Sequence, residues 1–62
     1  MHPKSQNSSE ALNYINKALE HIDKAIRDLE EKGDIETINE FESVRALLEM
    51  SQKIIMYGLF HN

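Results

Sequence analysis

Cysteine is absent from this 62-residue sequence, which excludes disulfides and thiolate metal sites. Its three histidines, His2, His21 and His61, are scattered, and none has a second ligand one helical turn away. No apolar run approaches the roughly 18 residues that a membrane-spanning helix requires. The first nine residues, MHPKSQNSS, lack the apolar stretch of a signal peptide, so a cytoplasmic location is expected. Basic charge is also scarce. Seven Lys and Arg stand against eleven Asp and Glu, for a formal net charge of −4. The bases are interleaved with acids and have no aromatic platform beside them, which argues against nucleic-acid binding.

What the sequence does contain is helical patterning. From about Ser9 to Lys32, Leu12, Leu19 and Ile26 recur every seven residues. Ile15, Ile22 and Leu29 follow three residues behind them, and Ala11, Ala18 and Ala25 form a third column beside the stripe. This is the pattern of a helix that packs along one face at a shallow angle. From about Ile35 to Gly58 a second stripe holds Ile38, Phe41, Val44, Leu48 and Ile55, with Leu47, Ser51, Ile54 and Gly58 beside it. Gly33 suits a left-handed helix end, and Asp34 suits the N-cap of a following helix. So short a connection makes the helices antiparallel neighbours. The expected fold is all-α: residues 1–8 a disordered lead-in, helix 1 over about 9–32, a turn at 33–34, and helix 2 over about 35–58. Asn7 to Ser9 offer the first cap, and Gly58 the last stop. Glu20–Lys24 and Asp23–Arg27 are spaced as ion pairs on the outer face. After Gly58, Leu59 and Phe60 either fold back on the hairpin or stand out as an anchor for a partner.

An antiparallel hairpin places Leu29 opposite Ile38, Ile26 opposite Phe41, Ile22 opposite Val44, Leu19 opposite Leu48 and Leu12 opposite Ile55. These side chains complete one seam. Left over are Ala11, Ala18, Ala25, Leu47, Met50, Ile54 and Tyr57, which form the expected interface with another molecule. A chain of this size buries only about 60% of its unfolded surface. Without disulfides or a metal, oligomerisation is the remaining way to stabilise it. A second copy laid over the leftover face gives a two-fold-symmetric four-helix bundle.

Chemistry-bearing constellations are few. Between Asp28 and Glu42 lie seven acids and one base, Lys32. Asp28, Glu30 and Glu31 sit near the negative end of helix 1, at a cost in stability. Glu30, Glu31, Asp34, Glu36 and Glu40 are therefore the candidate site for a basic protein surface, against the plainer reading of a solvated loop end. The alternating oxygen ligands of a calcium loop are absent. His21 has Lys17 and Lys24 one turn away on either side, which disfavours a metal. Ser51 has no histidine nearby in the sequence and reads as a core serine bonded back to the carbonyl of Leu47. No catalytic residue, cofactor or metal site is expected.

Ser51-Gln52-Lys53-Ile54-Ile55 resembles the Ser-Gln-x-Leu-Asp segment of small helical-hairpin phosphatases that act on sporulation response regulators. The acid of that motif falls at Ile55 here, so the resemblance does not carry the activity. In architecture alone, a dimeric bundle of hairpins is also similar to small RNA-binding copy-control proteins. The expected function is that of a non-enzymatic regulatory or adaptor protein that pairs with itself and with another protein. The alternatives are a subunit or inhibitor that folds against a different protein and, more weakly, a nucleic-acid-binding bundle.

Overall fold

The structure is a computed structural model that describes residues 3–60, with side chains from residue 8 onward. Two α-helices, α1 (Pro3–Lys32) and α2 (Ile35–Phe60), pack along their length as a hairpin of 48 × 15 × 11 Å. The described residues contain no strand.

The turn is built as its sequence suggests. Gly33 has φ of +73°, a conformation that costs an L-residue about 1–2 kcal/mol. Its N–H donates to the Glu30 carbonyl at 3.2 Å, and the Asp34 N–H donates to the Leu29 carbonyl at 3.1 Å. That pair of bonds is a Schellman motif, which satisfies two of the four carbonyls left free at the end of α1. Asp34 then starts α2. Its Oδ1 accepts from the Thr37 N–H at 3.2 Å, and its own carbonyl accepts from the Ile38 N–H at 3.1 Å.

Both outer helix ends run further than expected. α1 begins at Pro3, not at Ser8 or Ser9, so residues 3–8 are helical rather than a disordered lead-in. Proline suits the first helical position, where its missing N–H costs nothing, and no glycine or further proline interrupts residues 4–9. Asn7, Ser8 and Ser9 therefore lie inside the helix. Residues 1 and 2 lie outside the described residues. At the other end α2 continues through Gly58 to Phe60. Gly58 lacks the positive φ of a C-terminal cap, so Leu59 and Phe60 are helical and do not fold back.

The seam centres on Ile26, which is 4% exposed and the one buried hydrophobic residue among the described residues. Leu12, Ile15, Leu19, Ile22 and Leu29 of α1 are half-buried, as are Ile38, Phe41, Leu48, Ile55 and Leu59 of α2. One layer differs from expectation. Val44 is 43% exposed, and the half-buried residue at that level is Arg45. The inward stripe of α2 thus runs Ile38, Phe41, Arg45, Leu48, Gln52, Ile55, Leu59, in steps of three and four. A stripe drawn through apolar residues alone passes over Arg45 and Gln52. A long side chain can nonetheless lay its apolar stem along a seam and keep its polar head outside.

Candidate functional site

The two flanks of the seam differ in chemistry. On one flank the helices are bridged by polar groups. Arg45 Nη1 donates to Asp23 Oδ1 at 2.9 Å, and Arg45 Nη2 donates to Glu42 Oε2 at 3.4 Å. One heptad further toward the open end, Gln52 Nε2 donates to Asn16 Oδ1 at 2.8 Å. Asp23 was expected to pair with Arg27 on the outer face, but it turns instead to the opposite helix, where a half-buried guanidinium meets it. The hydrogen bond from Arg45 to Asp23, and after it the charges of Asp23, Glu42 and Glu49, hold the Arg45 pKa above its ordinary value against the opposing effect of desolvation.

The other flank is lined by small residues. Ala11, Ala18 and Ala25 line it from α1 and are half-buried. Val44, Ser51 and Gly58 occupy the matching heptad positions of α2. Next to them Leu47 and Ile54 are 62% and 70% exposed, and Met50 and Tyr57 extend the apolar surface outward. Tyr14 borders it on α1, with Lys17 Nζ 5.9 Å from its ring centroid. The exposed large hydrophobic residues are concentrated on α2, with Tyr14 the one on α1. The surplus apolar surface therefore belongs mainly to α2. Ser51 does not interrupt this face. Its hydroxyl donates to the Leu47 carbonyl at 3.1 Å, so the group is already satisfied and can be covered without loss of a bond to water. Gly58 adds a shallow point, because a Cβ built there would meet nothing within 4 Å.

The acids at the turn stay in solvent. Glu30, Glu31, Asp34, Glu36 and Glu40 are all exposed. Asp34 is committed to the cap of α2. Asp28 accepts from Lys32 Nζ at 2.7 Å, a bond that, with the Asp28 charge, raises the Lys32 pKa. No group of three His, Cys, Asp or Glu side chains among the described residues is arranged to hold a metal ion, and His21 is exposed. No described helix is long and apolar enough to cross a membrane. Phe60 stands 78% exposed at the end of α2, whereas Leu59 is half-buried.

The structure thus puts Leu47, Met50, Ile54 and Tyr57 on one open face and sets the three alanines along its inner edge. The turn acids lie at one end of the hairpin, away from that face's centre. The cross-helix polar flank was missed from sequence. The available signal was the seven-residue spacing shared by Asn16 and Asp23 on α1 and by Arg45 and Gln52 on α2. No protein-family model matches the chain, and no curated protein or solved structure matches it significantly.

Proposed function

We propose that this chain is a small non-enzymatic regulatory or adaptor protein that self-associates through the exposed apolar face of α2 into a four-helix bundle. In this reading it acts in the cytoplasm by binding another protein. The observation that carries the proposal is the exposure of Leu47 and Ile54, at 62% and 70%, beside a seam with so little fully buried apolar side chain. Burying each such side chain is worth about 1.5–3 kcal/mol, a large share of the stability of a domain this small.

Area supports the same reading. A compact monomer of 7.2 kDa is expected to expose about 4,100 Å². The hairpin exposes 4984 Å², and the difference, about 900 Å², is close to what one partner contributes to a standard protein interface. The acidic turn would remain free at the end of such a bundle, which makes it the candidate contact for a basic protein surface, with attraction that weakens as salt rises. Sedimentation equilibrium tests the core of the proposal. A dimer at micromolar concentration is expected, and a stable, compact monomer overturns self-association.

A further inference from the structure

Resting on that reading, we propose that the second copy lies over the Ala18–Ser51 flank with its turn at the opposite end, so that α1 meets α1 and α2 meets α2 across the two-fold axis. Two symmetric arrangements bring the same flank of two hairpins together. With both turns at one end, α1 of each copy lies over α2 of the other. With the turns at opposite ends, each helix lies over its own counterpart. Neighbouring helices run antiparallel in both cases, so helix dipoles do not choose between them.

Side-chain charge does choose. The turn end, residues 28–42, holds seven acids and Lys32. The open end, residues 3–9 and 55–60, holds no acid and has Lys4. Packed helices lie about 8–10 Å apart, comparable with the ~8 Å Debye length at physiological ionic strength. Turns at one end would therefore set two acidic clusters within reach of each other. Turns at opposite ends set each acidic cluster beside the acid-free end of the other copy.

The face itself accepts this arrangement. Its large members, Leu47 and Ile54, lie on either side of Ser51. With Ser51 at the axis, Leu47 of one copy falls near Ile54 of the other. The small residues between the helices leave a shallow trough for these side chains. In α1, Ala18 lies at nearly the same height as Ser51 and also falls close to the axis.

The absence of cysteine makes the test direct. Ala18→Cys and Ser51→Cys are small changes, and each is made singly in the full chain, with Arg27→Cys on the outer face as a collision control. Circular dichroism first checks that each variant is folded. Under mild oxidation the proposal expects Ala18→Cys and Ser51→Cys each to form a disulfide with its own kind, roughly a hundredfold faster than Arg27→Cys, as for groups held at high effective concentration. Mixing the two variants should yield little 18–51 disulfide. If neither variant links to itself but the mixture gives the 18–51 product, the turns lie at the same end and the orientation is wrong. If the chain is dimeric by sedimentation and neither pairing forms, the docking face is wrong. If the chain is monomeric, the self-association on which the inference rests fails, a result distinct from both. Should one variant not fold, the other still decides for or against the proposal, because self-linking supports it and a dimeric chain that does not self-link overturns it.

Discussion

Asp23 and Arg45 tie the two helices together across the seam, with the guanidinium 2.9 Å from the carboxylate. Gln52 and Asn16 repeat the bridge one heptad away. Both pairs report the same register, because each step back along α1 is matched by an equal step forward along α2. Arg45→Glu would bring a carboxylate up to Asp23 and Glu42, and it is expected to lower the thermal midpoint followed by circular dichroism. Combining it with Asp23→Arg should recover part of the loss. Arg45→Met, which keeps the stem and drops the charge, should unfold close to the parent. Identical melts for Arg45→Glu and the parent would show that the bridge does nothing to dock the helices.

At the turn, the left-handed φ of Gly33 makes a specific demand. Gly33→Ala is expected to cost about 1–2 kcal/mol, the penalty for an L-residue in that conformation, although a Cβ there meets no neighbour. Asp34→Ala removes the acceptor for the Thr37 N–H and should cost about 0.5–2 kcal/mol, while Asp34→Asn should keep most of the cap. Chemical denaturation measures both. An unchanged midpoint in Gly33→Ala would mean that the turn can adopt another conformation without loss.

These features mark how far the sequence could be read. Gly33 and Asp34 fix the turn by local backbone chemistry, so they are legible without tertiary information. The apolar stripe of α1 is legible because its inward positions are nearly all apolar. That of α2 is less so, because apolar residues spread over much of its circumference and cannot alone show which of them face α1. Arg45 and Gln52 occupy inward positions through their stems, a role that residue type hides. The passage of α2 through Gly58 was missed because a lone glycine is tolerated in a helix that has a neighbour to pack against, and the start at Pro3 because the first helical position accepts a proline without a capping residue in sight.

Lys32 predicts a pH dependence. Its hydrogen bond to Asp28, together with the Asp28 charge, raises its pKa in the folded chain above 10.5. A base with a raised folded pKa stabilises the fold fully below its unfolded pKa, and that contribution fades as pH climbs through the folded value. Lys32→Met should therefore be less stable than the parent at pH 8, and the two should converge above pH 10.5. Parallel melting curves across that range would remove the ion pair as the cause.

Gly58 carries a helix-propensity cost that nothing within the hairpin requires. Gly58→Ala should raise the stability of the isolated hairpin by about 0.5–1 kcal/mol, which is roughly 2–8 °C in midpoint for a domain of this size. The gain should appear in dilute samples. A loss there would mean that some contact of the hairpin itself depends on the missing side chain.

Leu47 and Ile54 separate the stability of one hairpin from that of a pair. Both are largely exposed beside the seam, so Leu47→Glu or Ile54→Glu should leave the unfolding of a dilute, monomeric sample nearly unchanged. In a dimer the same change places a carboxylate in an apolar contact, where a buried, unpaired charge costs several kcal/mol. The dissociation constant should then rise by more than about a hundredfold, or about 2.7 kcal/mol. The parent's midpoint should climb with concentration while that of the variants stays flat. If the variants melt lower than the parent by the same amount at every concentration, these side chains serve the fold of a single chain, and the exposed face is not where copies meet.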